Sequence, residues 1–515
     1  MKVERTKNAT RNIVFGFFLK IYQIFIPFLM RTAMIYFMGV QYLGLNSLFA
    51  SILQVLNLAE LGVGNAMVYS MYKPIAEDDE ITICALMRLY KTYYRVIGLV
   101  IAVAGLLLTP FIPRLINGDL PPELNIYVLY LLNLAVTVLS YWLFAYKNSL
   151  LQAHQRIDVT SKVTLATNTV QYGMQFLVLI TIKNYYAYVL VALATQALTN
   201  IVTAIVVTKM YPNYHPVGKL PKSQVQDINH RIRDLFTSKL GAVIVNSADT
   251  VVISAFLGLT MLAIYQNYYY ILTSVIGFVG IAFQSCTAGI GNSVIVESKE
   301  KNFADLKKFT LLIAWIAGFC TCCFLCLYQP FMEIWVGKDL MLGFTAVICF
   351  CVYFFVYEIN QLLNTYKDAA GIWHEDRFRP LVTAIVNLTM NLIMVQFWGI
   401  YGVLLSTVLS MLFVGMPWLL HNLFTVLFDK SQMWGYVGTL LKYALIVAIS
   451  SFACYAMSVI FDFSTFGNLF YRAVICCVLP HLIYFVIFHK SVEFIQCVQL
   501  IDKMTKYKLK LSRLV

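Results

Sequence analysis

Long apolar stretches recur along this chain, separated by short polar breaks. About 20 mostly apolar residues carry a helix across the hydrocarbon core of a bilayer. Fourteen stretches meet that description, at about 13–38, 43–71, 95–113, 125–147, 162–182, 185–208, 239–257, 260–296, 309–328, 341–366, 379–396, 399–427, 437–461 and 469–489. The eighth is long for one crossing and is expected to bend or to include an interfacial turn. The pattern predicts an all-α integral membrane protein with about fourteen transmembrane helices.

Composition agrees. The 515 residues are 60% hydrophobic and 12% charged, with a mean hydropathy of +0.74; soluble domains carry about 25% charged residues. A net charge of +13 could point to nucleic acid, but loops facing an anionic inner leaflet also collect Lys and Arg. Threading from a cytoplasmic N-terminus puts 32 of the 38 Lys and Arg residues on that side, and the outer loops hold only Arg114, Lys183, Lys338 and Arg472. One missed or invented helix would scramble this alternation, so both termini are expected in the cytoplasm and no nucleic-acid partner is expected. Charges in Met1–Asn12 precede an apolar run that reaches Gly39 without a small-residue cleavage site, which reads as a first span rather than a signal peptide. The stretch Lys490–Val515 alternates apolar and basic residues at helical spacing and is expected on the inner membrane surface. The twelve cysteines lie mostly inside spans, Cys320, Cys322, Cys323 and Cys326 among them, and read as buried small apolar residues.

The longest loop, about Met210–Thr237, is basic and divides the spans into six and eight. A faint repeat accompanies it. Gly39-x-x-x-Leu43 matches Gly258-x-x-x-Leu262, and Gly62-Val63-Gly64-Asn65 matches Gly289-Ile290-Gly291-Asn292. Both pairs fall at the second helix of a six-helix unit. Six is even, so the units would insert in the same orientation as parallel repeats with a site between them. The expected organisation is a six-helix lobe over 1–215, a second over 216–430, and two further helices with a basic cytoplasmic tail over 431–515.

Charges inside spans are costly unless they meet a cavity or a partner. Lys20 and Arg31 are eleven residues apart, so they share one helix face, with Gln23 and Pro27 near the same stripe. Lys20 is near enough to the inner interface to snorkel; Arg31 lies deeper. Glu60 follows Asn57, and Asp249 follows Asn246, each at i+3 near the middle of a span. Glu60 either lines a cleft opposite Asp249 or neutralises Arg31. The tenth span adds Tyr353, Tyr357, Glu358, Asn360, Gln361 and Asn364, the fifth Asn168, Gln171 and Gln175, and the eleventh Asn387 and Asn391. Singly these suit helix–helix hydrogen bonding; together they suggest a hydrophilic lumen with tyrosine faces for sugars.

No Gly-x-x-x-x-Gly-Lys-Ser/Thr loop occurs, so ATP hydrolysis by a P-loop is excluded. The acidic run Glu77–Glu80 reads as a solvated loop, and His374-Glu375 lacks the second histidine of a zinc motif. No catalytic residue, metal or cofactor is expected, and the outer loops leave no room for glycosyl transfer.

Three blocks carry a family resemblance: Pro27-Phe-Leu-Met-Arg31 followed by Gly39-Val-Gln-Tyr-Leu-Gly44-Leu-Asn46, then Ala59-Glu60-Leu-Gly62-Val-Gly64-Asn65, and Gly289-Ile-Gly-Asn292 with Glu297-Ser-Lys299. With these, the chain resembles Wzx-type lipid-linked oligosaccharide flippases of the multidrug/oligosaccharidyl-lipid/polysaccharide (MOP) superfamily. The resemblance spans essentially the whole chain, strongest before residue 100. It implies two six-helix bundles around a V-shaped cavity, with extra carboxy-terminal helices. It also implies transfer of an undecaprenyl-pyrophosphate-linked oligosaccharide from the inner to the outer leaflet of the bacterial cytoplasmic membrane, for polysaccharide or lipopolysaccharide biosynthesis. Membrane lipids and a polysaccharide polymerase are the partners it suggests. Arg31, helped by Lys20, would neutralise the pyrophosphate. Asn57, Asn246, Gln171, Tyr357, Gln361 and Asn364 would face the cavity. The acids Glu60, Asp249 and Glu358 depart from a purely cationic lumen, and a coupling proton or cation is their suggested role. The alternative is a cation-coupled drug or metabolite antiporter of the same superfamily.

Overall fold

The computed structural model describes residues 5–504 apart from 61 and 119, with side chains between 18 and 502 except at 59, 234, 237–239, 242, 246, 282, 284, 285, 288 and 501. The described residues are helical, without a strand. The first helices are α1 (Arg5–Phe37), α2 (Val40–Leu56), α3 (Val63–Ala76), α4 (Glu80–Leu108), α5 (Ile126–Trp142), α6 (Asn148–Ala153), α7 (Ile157–Thr181), α8 (Tyr185–Met210) and α9 (Lys222–Val296). They are followed by α10 (Lys299–Val336), α11 (Phe344–Ala369), α12 (Arg379–Trp398), α13 (Ile400–Ser410), α14 (Met416–Val426), α15 (Met433–Ser458), α16 (Thr465–Phe488) and α17 (Val492–Met504). The chain forms two compact units, Met1–Ala263 and Ile264–Val515, with α9 contributing to both.

Helix ends follow local chemistry. Asp79, Asn125, Asn184 and Ser298 each accept a backbone N–H from the first turn of α4, α5, α8 and α10, satisfying donors that the helix itself cannot. The second apolar stretch breaks in the middle: α2 ends in a 3-10 turn at Asn57–Glu60, and Gly62, with φ of 88°, opens α3. That left-handed geometry favours glycine, and a Cβ there would lie 2.6 Å from the Cβ of Leu235.

In the first unit α1 runs along α7, which also packs on α8, while α5 touches both α4 and α8. In the second unit α10 is the hub, against α11, α15, α16 and α17, and α12 and α13 form a tight pair about Gly399. Its core gathers Leu306, Leu363, Tyr366, Phe424, Tyr436 and Tyr484. Lipid is as apolar as these side chains, so packing and internal hydrogen bonds hold such helices together. Thr310 meets Tyr436 at 2.8 Å and Ser450 meets Tyr484 at 2.9 Å. Asn387 donates to Thr407 at 3.1 Å, and Asn391 accepts from Ser406, so the polar pair of the eleventh stretch binds α12 to α13.

Of the fourteen spans expected, ten described helices are individually long and apolar enough to cross a membrane, or eleven if the bent pair α5–α6 counts as one. Breakage at Asn57–Glu60 shortens α2, and α7 carries Thr164, Asn168, Gln171 and Gln175, which lower its apolar content. Stretches seven and eight both lie in α9, which is two helices meeting at a kink at Gly258 (φ 85°, ψ 173°), at the join expected between 257 and 260. The basic loop is shorter than expected, because residues from Lys222 onward already belong to α9.

Gly258 carries the same kind of backbone as its sequence counterpart Gly39, at φ 111° and ψ 162°. The second glycine match does not repeat: Gly62 breaks a helix, whereas Gly289 and Gly291 lie inside α9. The tail beyond Ser491 forms α17, which packs on α10 with Glu493 3.7 Å from Lys307; the expected surface segment after residue 504 lies outside the described residues. All twelve cysteines are free thiols, and Cys322, Cys326, Cys454 and Cys476 share one small core.

Candidate functional site

Two polar cavities lie within the first unit. Arg31 sits on α1 one turn beyond Pro27, and α1 runs along α7. Together with α2, α5 and α8 they enclose a cavity of about 250 Å³. Arg31, Gln171, Gln175 and Tyr188 line it, with Asn46 and Asn133 on the remaining walls. Gln171 and Gln175 are four apart on α7 and so present one face. Gln175 is 2% exposed and donates its Nε2 to the Tyr188 carbonyl at 3.2 Å; its Oε1 is buried without a hydrogen-bond partner among the described residues. Tyrosines continue beside the cavity. Tyr22 meets Thr169 at 3.0 Å and tilts against Tyr172, and Tyr185 stacks on Tyr188 with ring centroids 6.0 Å apart. A fixed cation among amides and tyrosine faces suits a phosphate joined to a polar, ring-shaped group.

The second cavity, about 260 Å³, holds Glu60. The 3-10 turn at Asn57–Glu60 re-aims this carboxylate, which accepts a hydrogen bond from Tyr94 at 3.2 Å. Tyr94 in turn is bonded by Tyr90 at 2.5 Å. Asn65, Asn148, Thr164, Thr199 and Asn200 complete a wall of hydroxyls and amides. Such a site offers a carboxylate with proton-carrying neighbours and many oxygen ligands, the chemistry of a cation or proton site.

Of the residues singled out from sequence, Arg31 and Gln171 are therefore brought together. Lys20 shares the α1 helix but lies about 16 Å away along its axis and does not line that cavity. Glu60 lines the other cavity. Asn57 begins the turn that carries Glu60, and its side-chain oxygen is buried without a hydrogen-bond partner among the described residues. Asp249 is buried on α9 and lines neither cavity; the Asn246 side chain lies outside the described residues.

The remaining candidates belong to the second unit. Glu358 is 1% exposed on α11, and neither carboxylate oxygen has a hydrogen-bond partner among the described residues. Tyr357 tilts against Tyr353 at 5.7 Å, and Gln361 is half-buried on the same helix. Asn364 accepts from Arg379 at 2.8 Å, joining a buried ion pair at the end of α11. Sequence reasoning passed over Tyr188, Asn46 and Asn133. Single polar residues in apolar runs give no periodic signal, and only the packing of α2, α5 and α8 around α1 and α7 selects them.

By sequence, no family model and no curated protein matches the chain. Solved structures do match. The Lipid II flippase MurJ in an inward closed conformation superposes with a TM-score of 0.65 at 14% identity, covering 93% of this chain and 99% of that one. The chain shares the fold of that flippase. An inward-facing multidrug resistance MATE family transporter of the MOP superfamily matches with a TM-score of 0.59 at 13% identity, over 80% of this chain and 94% of its own. The Vibrio cholerae MATE transporter VcmN matches at 0.55 and 14% identity, over 82% and 98%. All three are membrane transporters or flippases, and none is named as an enzyme.

Proposed function

We propose that this protein is a flippase for undecaprenyl-pyrophosphate-linked oligosaccharide, moving it from the inner to the outer leaflet of the bacterial cytoplasmic membrane for polysaccharide biosynthesis. The observation that carries the reading is Arg31 in a polar cavity beside Gln171, Gln175 and Tyr188. A pyrophosphate crossing a low-dielectric region needs a fixed cation, and sugar hydroxyls need amide partners. The prenyl chain can remain in lipid. The Lipid II flippase among the matched structures supports a lipid-linked substrate. In this reading two lobes, 1–215 and 216–430, rock about a central site, with 431–515 as accessory helices and both termini cytoplasmic. Lys20 gives the head group a first cationic contact, Glu60, Asp249 and Glu358 take the coupling proton or cation, and a polysaccharide polymerase receives the product.

The test uses inverted membrane vesicles loaded with labelled lipid-linked oligosaccharide, with an impermeant glycosidase reporting what remains on the exposed cytoplasmic leaflet. Protein-dependent protection should appear with the wild type, disappear with Arg31→Ala and return in part with Arg31→Lys. Equal protection by all three would remove Arg31 as the anion contact. A second reading, a cation-coupled drug or metabolite antiporter, is favoured by one observation, the Glu60 carboxylate in its own cavity bonded by Tyr94. Gradient-driven export of organic cations, with no lipid movement, would select it.

A further inference from the structure

Two clusters of basic residues in this protein share a carboxylate. Asp158 lies between Arg156 and Lys162, and Asp376 between Lys367 and Arg379. A third cluster does not. Lys91 and Arg95 stand one turn apart on α4, where like charges repel. Lys147, in the turn Ala145–Lys147 between α5 and α6, comes within repulsive range of Lys91. Among the described residues no carboxylate lies within ion-pair distance of any of the three. Lys147 is anchored: its Nζ donates to the Thr208 hydroxyl at 2.6 Å, and that hydroxyl donates to the Ala204 carbonyl at 2.7 Å. An ammonium has three N–H donors, so two remain. Lys91 lies over the Tyr146 ring, 5.8 Å from its centroid. Arg95 is exposed, and its guanidinium has no hydrogen-bond acceptor among the described residues.

The cluster sits where two exposed apolar stripes end. On α4, Leu99, Val103 and Leu107 recur at four-residue spacing, and Arg95 continues that face by one turn. On α8, the exposed Leu198, Ile201 and Ile205 lead to Thr208 in the same way. Trp142 stands at the boundary, as aromatic side chains do at the edge of a bilayer. It is exposed, and its Nε1 donates to the Arg95 carbonyl at 3.2 Å. Gly98 makes room for the indole, because a Cβ there would collide with Nε1. The stripes thus face lipid tails, and the three cations at their ends lie at the level of the head groups.

We propose that Lys91, Arg95 and Lys147 bind the phosphodiester of an anionic phospholipid that docks from the bilayer against the first unit. The guanidinium of Arg95 matches phosphate oxygens bidentately. Lys147 gives its two free N–H donors, Lys91 completes the neutralisation, and an acyl chain runs along Leu99 and Val103 of α4. The apolar stripe and Trp142 favour a lipid over a free phosphate, which would meet only the cations. Bound there, the lipid bridges α4 to the Lys147 turn and offsets a repulsion that the protein leaves unbalanced. None of the three cations lines either polar cavity, so the site does not depend on what the protein carries.

The experiment is native mass spectrometry of the purified full-length protein in an uncharged detergent. It is titrated with dioleoyl phosphatidylglycerol or dioleoyl phosphatidylcholine, each with and without inorganic phosphate. One cation near a lipid head group strengthens the attraction about fivefold. The wild type should therefore retain one phosphatidylglycerol about tenfold or more tightly than phosphatidylcholine. Lys91→Gln/Arg95→Gln/Lys147→Gln should abolish that preference. Lys219→Gln/Lys222→Gln/Lys490→Gln removes the same charge from exposed lysines elsewhere and should leave it intact. Equal retention of the two lipids by the wild type overturns the site without depending on how any variant folds. Equal losses in the two triple variants also overturn it, because diffuse attraction to net charge would then explain the binding. Displacement of the lipid by an equal concentration of inorganic phosphate would make this a site for free phosphate and overturn the lipid assignment. The flippase reading stands or falls separately, on Arg31.

Discussion

Arg379 grips Asp376 through two hydrogen bonds, Nε to Oδ1 at 2.6 Å and Nη2 to Oδ2 at 2.8 Å. Lys367 stands 3.5 Å from the same carboxylate, and Asn422 donates to it at 3.1 Å. The first unit contains a similar knot, with Arg156 on Asp158 at 2.9 and 3.3 Å and Lys162 at 3.5 Å. Each knot lies just before or at the start of a helix, α12 or α7, and each Asp is fully buried.

Removing one member of a buried, hydrogen-bonded ion pair strands the other charge, at a cost of about 3–5 kcal/mol. Asp376→Asn is therefore expected to lower the thermal unfolding midpoint markedly in detergent, and Asp158→Asn by less, because Arg156 and Lys162 keep contact with solvent. A shift within that of an exposed control such as Lys338→Ala would mean the pairs contribute little.

Glu60 should matter for coupling more than for folding. With Tyr94 donating to it at 3.2 Å, the carboxylate has an immediate proton-carrying neighbour. Glu60→Gln is expected to retain lipid binding while losing the dependence of transport on an imposed pH or sodium gradient, read from vesicle flipping rates with and without the gradient. A gradient response identical to that of the wild type would remove Glu60 from the coupling role.

His154 supplies a pH dependence outside the spans. Burial lowers its pKa below the usual 6.5, and its Nδ1 lies 2.8 Å from the Leu150 carbonyl, with the ring tilted 4.4 Å from Tyr211. A histidine whose folded pKa is depressed stabilises the fold fully above its unfolded pKa, and that contribution is lost as the pH falls through about 6.5 towards the folded value. The unfolding midpoint should thus decline from about pH 7 to about pH 5.5. His154→Phe keeps a ring against Tyr211 and cannot protonate, so its midpoint should stay flatter across this window; parallel curves would exclude His154 as the source.

Gly258→Ala tests the bend in α9. The backbone there, at φ 85° and ψ 173°, is a region almost confined to glycine, and a Cβ would lie 2.7 Å from the Asn117 carbonyl oxygen. The strain should cost about 1–3 kcal/mol, visible as a lower unfolding midpoint and weaker amide protection around residues 254–262. Unchanged protection would show that the bend tolerates a side chain.

Much of the helical architecture was legible because spanning a bilayer demands runs of about 20 apolar residues, and such runs survive any tertiary arrangement. The stripe Gln171–Gln175 was legible for a related reason: a 3.6-residue period states which side chains share a face. The sequence alone thus determined a helical membrane protein, the polar face of α7 and the place of Arg31 within an apolar helix. Tertiary packing decided what those residues meet. It placed Arg31 and Gln171 in one cavity and Glu60 in another, through a 3-10 turn and a left-handed Gly62 that no apolar period reveals. It also drew Asn364 into the Arg379 ion pair and set the kink in α9 at Gly258, where two helices meet. Periodicity is a property of one helix, whereas a cavity is a property of several, and the residues of its far wall, such as Asn46, Asn133 and Tyr188, are selected only when those helices pack.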